Sequence, residues 1–396
     1  MIVLGALGSV YGLWFVAIAL LGSMRKYKAP APAAPRTRFG VLVPARNEEN
    51  VVAHLVKSLT AQDYPRELFD VIVIPNNCTD DTAKAALEAG AQVLACDAPV
   101  KSKGEVLRFA FERLEGRGYD AYCILDADNL AAPGFLRAAN DAILAGWEVA
   151  QGHRDSKNPS DSWVAGDTSI FFWIMNRFYY RARSALGMSA ALNGTGIVLS
   201  AALVKRLGWN MVTLTEDLEF TGLCASEGVK IGFMDGAVVY DEQPVGIVDS
   251  IVQRRRWFKG GMQCFGIYAR RLAKRHSLHA LDMLAVFSGW IMQLVCMLPG
   301  IATAAGLISD VISGRMTLAE LIALGAGLLA AAYIACALAA FLVCALEGKL
   351  CARRTSAILM FPVFLATWFI ANMWAMLTKA PGWKQIAHVR GTDIPD

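Results

Sequence analysis

The sequence predicts an α/β domain with a mixed, mostly parallel sheet wrapped by helices, set between apolar segments that form interfacial and transmembrane α-helices. Three observations carry this. Hydrophobic residues make up 55% of the 396-residue chain and charged residues only 18%, which is too apolar for a soluble protein of this length. The apolar excess is gathered at the N-terminus and in the last third. Between them, short strand-type runs alternate with helical stretches through short polar connections, the pattern of parallel strands joined by helices. The net charge of +4 says little about partners. Nothing resembles a nucleic-acid module, and the basic residues cluster beside apolar segments, as at a cytoplasmic membrane face. The nine cysteines are scattered, which suggests neither a zinc site nor a disulfide framework.

In chain order, Ile2 to Gly22 is uncharged and long enough to span a bilayer. Arg25, Lys26 and Lys28 follow it, whereas a signal peptide carries its positive charge first. Residues 1–28 are therefore expected to be an uncleaved anchor, with the N-terminus outside and the rest entering the cytoplasm. Residues 29–38, rich in Ala and Pro, form a stiff linker. A soluble domain is expected over 39–260. Its first strand is the run from Gly40 to Pro44, followed by Ala45 to Asn50 and an amphipathic stretch, Val51 to Leu59. Asp70 to Pro75 is a second strand, and the polar turn Asn76 to Thr82 leads into a helix, Ala83 to Ala89. Gln92 to Ala95 is a third strand, Lys101 to Arg113 a helix, and Tyr122 to Leu125 a fourth strand.

That fourth strand ends in two carboxylates one residue apart, Asp126 and Asp128. Residues i and i+2 of a strand face the same side, so a turn past its end can aim both at one point. Paired carboxylates suit Mg²⁺ or Mn²⁺, which take one or two carboxylates and substrate phosphates. A plain polar turn gives the same letters. Ligands of such sheets bind beyond the carboxyl ends of the strands. Pro44 to Glu48, Asn76 to Asp80 and Asp126 to Asp128 all fall on that edge, which is a nucleotide-site pattern.

Further along, Trp163 to Arg183 is an aromatic-rich helix for the core or the membrane interface. Asn193 to Gly196 is a tight turn before a strand, Ile197 to Ser200. Thr215-Glu216-Asp217 opens a helix with Thr215 as its N-cap. Lys230 to Met234 and Ala237 to Tyr240 read as two strands, and Gln253-Arg254-Arg255-Arg256-Trp257 comes next. Residues 261–282 are expected to lie as basic amphipathic helices in the membrane interface. About three spans follow over 283–378: Met283 to Ile308, Leu321 to Leu346 and Ile358 to Leu377. Lys349, Arg353 and Arg354 place the 347–355 loop inside. Counting spans puts the 379–396 tail outside, yet Trp383, Lys384 and Arg390 give it a cytoplasmic character. One apolar run is then interfacial or broken, and Pro299-Gly300 is a candidate break.

The ordered set of D-x-D, T-E-D and Q-x-x-R-W resembles the membrane-embedded family 2 glycosyltransferases, such as cellulose synthase, hyaluronan synthase and the nodulation chitooligosaccharide synthase. The resemblance covers about Phe39 to Gly261 and implies a GT-A-like fold. It also implies a UDP-sugar donor, UDP-glucose or UDP-N-acetylglucosamine above all. Asp126 would contact the nucleotide and Asp128, with Asp126, a Mg²⁺ or Mn²⁺ ion that neutralises the departing diphosphate. Asp217 would be the general base that takes the proton of the attacking hydroxyl. Glu216 would raise its pKa or be a solvated acid, and a plain N-terminal cap explains the same triplet. Pro44, Glu48, Asn77 and Asp80 would bind uridine, although the second strand ends in Pro75-Asn76-Asn77 where relatives commonly place an acid. Lys103 would support the nucleotide. Gln253 would bind the nucleotide sugar and Arg256 would hold its diphosphate, a task suited to a guanidinium. Trp257 would stack on the acceptor sugar, with Asn193, Gly194, Thr195 and Glu216 lining the acceptor site. Arg254 and Arg255 read as an interface patch.

The expected function is inverting, metal-dependent transfer from a UDP-sugar to a growing β-linked polysaccharide. The enzyme would be processive and export its product through its own spans in the cell membrane, with the catalytic domain cytoplasmic. The alternative among enzymes is non-processive transfer of one sugar to a lipid or short glycan. From another class, a membrane scaffold that only senses nucleotide would release no UDP from a UDP-sugar.

Overall fold

The computed structural model describes residues 2–379. Helix α1 (Ile2–Ser23) leads through an extended segment to β1 (Phe39–Ala45) and α2 (Val52–Thr60). There follow β2 (Phe69–Pro75), α3 (Thr82–Glu88), β3 (Gln92–Val93), α4 (Lys103–Leu114), β4 (Ala121–Ile124), β5 (Leu130–Ala131), α5 (Phe135–Leu144) and β6 (Val149–Ser156). Helix α6 (Trp163–Ile174) runs through a π-helical stretch, Met175–Arg181, into α7 (Ala182–Ala185). Then come β7 (Ile197–Ser200), α8 (Ala201–Leu207), α9 (Glu216–Glu227), β8 (Gly232–Asp241) and α10 (Ile247–Lys274). The remainder is helical: α11 (Leu278–Phe287), α12 (Gly289–Ile312), α13 (Leu318–Leu346) and α14 (Thr355–Leu377).

The eight strands form one sheet in the order β3-β2-β1-β4-β7-β6-β8-β5. The first four are parallel, β7 is antiparallel to both β4 and β6, β6 and β8 are parallel, and β5 closes the edge antiparallel to β8. The period-2 alternation of the strands divides the core in two. Leu42, Ile72, Ile124 and Leu199 pack on one face with Phe111, Trp209 and Phe220. Val41, Val43, Val73, Cys123 and Val198 pack on the other with Leu55, Phe135 and Ala139. Strand order reverses at β1, whose neighbours are β2 on one side and β4 on the other. The crevice beyond the carboxyl ends of β1 and β4 is therefore a natural ligand site.

Several expectations change. The third strand is only Gln92–Val93. The two strands placed at 230–240 are one, β8, paired to β6 across a register shift at Gly152/His153. Thr215 stands at the N-cap of α9, but its side chain makes no capping bond. Instead Glu219 Oε2 accepts from the backbone N–H groups of Val212 and Thr213 at 2.8 and 2.6 Å. Residues 261–274, most of the 261–282 stretch expected as interfacial helices, do not start a helix of their own. They continue α10, whose Gly260, Cys264, Tyr268 and Leu272 are buried, the last three in the core on one face of the sheet. Arg254 is not a surface charge. It is 1% exposed and donates to Phe364 O and Thr367 Oγ1 of α14.

Among the described residues, four helices are long and apolar enough to cross a membrane: Val3–Ser23, Gly289–Ile312, Leu318–Leu346 and Ala352–Leu377. Pro299 lies inside an unbroken α12, because a backbone with only apolar neighbours has no better partner than its own helix. Asp282 of α11 ties α1 to α7: it accepts from Trp14 of α1 at 2.9 Å and pairs with buried Arg183 of α7 at 3.1 Å. Residues 380–396, including Trp383, Lys384 and Arg390, lie outside the described residues.

Candidate active site

The three polar loops expected at the sheet edge are built by local geometry. After β1 the chain turns through Asn47 in a left-handed conformation (φ 54°), and the backbone N–H of Glu48 donates to Thr82 Oγ1 at 2.8 Å. After β2, Asn77 is also left-handed (φ 47°) and its amide donates to Val100 O at 3.0 Å. Asp80 accepts from Thr82 and from Glu49 N–H at 3.1 Å. Burial alone would raise its pKa, but these bonds outweigh burial and hold it below the usual carboxylate range. Asp80 therefore shapes the loop that Pro44 and Glu48 flank.

Beyond β4, Asp128 is buried (5% exposed) while Asp126 is partly open. Thr195 ties their turn to the next loop: its hydroxyl bonds Asn129 Oδ1 and accepts from the Asp126 N–H at 3.2 Å. Lys103, in the first turn of α4, reaches across the crevice. Its Nζ lies 2.5 Å from Asp126 Oδ1, 2.6 Å from Gly194 O and 3.4 Å from Glu216 Oε1. Burial would lower the lysine pKa, but the three surrounding acids Asp126, Glu216 and Asp217 raise it well above its ordinary value. One cation thus locks the D-x-D turn, the 193–196 loop and the start of α9 together.

Asp217 sits one residue into α9, half-buried, facing Gly194. A Cβ on Gly194, whose φ is +89°, would lie 3.7 Å from Asp217 Oδ2. The pKa of Asp217 is pushed up to about 7, first by burial and then by the Glu216 carboxylate, against the pull of Lys103 and Arg154. A carboxylate poised near neutrality is a competent general base. A base works only when ionised, so transfer should rise with pH through about 7 and level off above it. Glu216→Gln removes the like charge and should move this limb to lower pH, which a kcat/KM profile from pH ~5 to ~9 reads directly.

Two residues of the site had no place in the sequence reading. Arg154 of β6 forms a buried pair with Asp241 at the end of β8 and donates to Asn193 O at 3.0 Å. Its guanidinium lies 4.0 Å from the Phe172 ring centroid. Burial would lower its pKa, but Asp241, with Asp126 and Asp128 behind it, outweighs this and keeps it charged. Asp241 also accepts from Asn129 Nδ2 at 2.9 Å and from Gln243 at 3.0 Å, so it braces the turn that carries Asp128. An apolar run ending in a carboxylate (Val238-Val239-Tyr240-Asp241) is the same signal that marked Asp126.

Helix α10, which carries Q-x-x-R-W, packs closely on the start of α9. A Cβ on Gly260 would fall 2.6 Å from Thr215 Cγ2, two residues before Asp217. Gly260→Ala should therefore cost roughly 1–3 kcal/mol, the usual price of overpacking. Gly261→Ala, whose Cβ would meet Leu218 only at 3.7 Å, should stay within about 0.5 kcal/mol. Thermal unfolding in detergent separates the two. Gln253 and Arg256 are half-buried on this helix. The Trp257 ring lies between Phe172 and Trp368, with centroids at 6.1 and 6.3 Å. It lines a cavity of about 210 Å³ with Phe258, Met262, Phe287, Trp290 and Trp368.

The donor set suits a divalent cation. Among the described residues no group of three or more His, Cys, Asp or Glu side chains is placed to hold a metal alone. Two carboxylates at a strand mouth, completed by phosphate oxygens of a ligand, are the usual provision for Mg²⁺ or Mn²⁺. Asp126 and Asp128 would hold the ion.

A carboxylate pair at a sheet edge, with a separate acid held near neutrality, suits an enzyme that moves a group from a phosphorylated donor to a hydroxyl. The chain belongs to the glycosyltransferase-like family 2, whose model matches residues 35–260. It is 25% identical over 238 residues to a probable glycosyltransferase of Bacillus subtilis, covering 56% of this chain and 55% of that protein. It is 28% identical over 246 residues to a β-monoglucosyldiacylglycerol synthase of Nostoc, covering 56% and 48%. The chain thus spans about half the length of these curated relatives. Its fold is GT-A-like. It matches a mannosyltransferase of Pyrobaculum calidifontis, solved with GDP-mannose and Mn²⁺, at a TM-score of 0.61 and 19% identity, over 94% of this chain and 99% of that one.

Proposed function

We propose that this glycosyltransferase moves a single sugar from a UDP-sugar, UDP-glucose or UDP-N-acetylglucosamine, to a hydroxyl on the headgroup of a membrane glycerolipid. The observation that carries the lipid acceptor is the cavity beside Trp257. It opens where α10, α11 and α12 meet, at the foot of the membrane helices, and its walls are almost wholly apolar. An apolar cavity of this kind favours hydrocarbon over water. Gly261 lines it, and the adjacent Gly260 rests on Thr215, two residues before Asp217. In this reading an acyl chain seated there presents its headgroup to Asp217. The relatives named as glucosyldiacylglycerol synthases support the same acceptor class.

In this reading the uracil and ribose lie against Pro44, Glu48, Asn77 and the loop that Asp80 shapes. Asp126 faces the nucleotide, and Gln253 and Arg256 hold the diphosphate. A divalent ion on Asp126 and Asp128 would neutralise charge growing on the leaving UDP. Asp217 takes the proton of the lipid hydroxyl as its oxygen attacks the anomeric carbon. The bond to UDP breaks on the opposite side, so an α-linked donor gives a β-glycoside. Asn193, Gly194, Thr195 and Glu216 frame the approach of the hydroxyl. The catalytic domain faces the cytoplasm, where the basic segments flanking the spans lie.

Gly261→Leu fills this cavity from a position with room for a Cβ. It should raise KM for a diacylglycerol acceptor at least about ten-fold with KM for the donor unchanged, the mark of lost acceptor binding alone. An unchanged acceptor KM contradicts the assignment. Processive polymer synthesis remains the second reading, favoured by the intact Gln253, Arg256 and Trp257 motif. It is told apart by product length.

A further inference from the structure

Length and composition make α14 a fourth span, but its contacts describe something else. A 23-residue helix is about 35 Å long, so a crossing helix must leave one end on the far side of the bilayer. Both ends of α14 instead touch the catalytic domain. At the start, a Cβ on Gly166 of α6 would fall 2.6 Å from the Ala357 Cβ. At the middle, Arg254 of α10 donates to Phe364 O and Thr367 Oγ1 at 3.2 and 2.9 Å, and Phe171 packs on Trp368 with centroids 5.2 Å apart. At the end, Lys259 Nζ donates to Ala375 O and Thr378 O at 3.0 and 2.9 Å, and Arg255 to Thr378 Oγ1 at 2.8 Å. These two cations complement the carbonyl end of α14. They belong to the helix whose Gly260 rests on Thr215, and therefore to the catalytic side.

Burial along α14 agrees. Ala357, Ile358, Phe361, Phe364, Ala371 and Ala375 are buried and share one helical face. The opposite face shows Leu359, Phe369, Ile370, Trp374 and Leu377. By contrast α12 has no buried residue, and α13 buries only Ala340, Val343 and Cys344 at its end. There α13 comes back to the catalytic domain, tied by Arg177–Glu347 at 2.6 Å and Lys349–Asp155 at 2.9 Å.

We propose that α14 lies along the catalytic-side surface of the bilayer, its inner face on α6 and α10 and its outer face in the lipid. The chain then crosses three times, through α1, α12 and α13, and residue 379 stays on the catalytic side. An interfacial helix ordinarily carries a polar face to water; here the catalytic domain covers that face. Arg353, Arg354 and Lys379 flank an uncharged stretch from Thr355 to Leu377, matching anionic headgroups at both ends. The outer face thus fits a lipid surface. The arrangement also removes the conflict between the count of spans and the basic character of the tail.

Sided labelling tests this in the full-length chain, with exposed Cys296 and Cys351 replaced by serine and the unsubstituted background subtracted. Single cysteines at exposed positions, Lys84→Cys on the catalytic domain, Arg315→Cys between α12 and α13, and Lys379→Cys, are treated with a membrane-impermeant maleimide. Intact cells are compared with inside-out vesicles. The expected result is that position 379 labels from the same side as 84 and from the opposite side to 315. Labelling of 379 together with 315, against 84, would overturn the proposal. So would labelling of all three from one side, since α12 and α13 would then not cross.

Discussion

Asp217→Asn should bind nucleotide sugar as the parent does and lose transfer by ~10²–10⁴-fold, the range lost with a positioned general base. The amide keeps the size and hydrogen-bonding reach of the carboxylate but accepts no proton. The fold should tolerate it, because the brace of the α9 start is Glu219, bonded to the Val212 and Thr213 N–H groups. Removing an acid whose pKa is already pushed up to about 7 by burial and Glu216 relieves a cost rather than creating one. Transfer within a few-fold of the parent would remove Asp217 from the mechanism.

Lys103→Met should be the second large loss, about 100-fold at neutral pH, comparable to removing one preorganised donor from a reacting site. The methionine keeps the aliphatic stem but leaves Asp126, Gly194 O and Glu216 without the cation they share. Lys103 also holds the Asp217 pKa down. Its loss should therefore move the rising limb of the pH profile upward, the reverse of Glu216→Gln, and part of the activity should return at higher pH. A loss of activity with an unmoved limb would mean that Lys103 serves only the nucleotide. Its position then matters for binding and not for the base.

Much of this arrangement was legible because it follows local rules. The first, second and fourth strands are apolar runs closed by Pro or Asp, and they lie within a residue or two of their expected bounds. The two acidic motifs announced themselves by standing where strands end or helices start. Strand β6, read VAQGHRDS, did not. Its polar residues are buried and paired across the chain: Gln151 with the 193–195 loop, Arg154 with Asp241, and Asp155 with Trp173 and Lys349. No apolar alternation survives to mark it, so Arg154 stayed invisible. Thr215 misled because the letters of a cap cannot reveal that its side chain packs on Gly260. Helix α14 is long and apolar enough to span, as its sequence predicts, but hydropathy counts apolar residues and does not say whether protein or lipid covers them.

The most direct test of the acceptor follows the label. The full-length protein in lipid nanodiscs containing diacylglycerol is given Mn²⁺ or Mg²⁺ and radiolabelled UDP-glucose or UDP-N-acetylglucosamine, and the products are partitioned between organic solvent and water. The expected result is UDP release with the label in the organic phase as one sugar per lipid, lost in Asp217→Asn. Label recovered in a long water-phase or insoluble polymer would contradict the lipid acceptor and establish the processive reading.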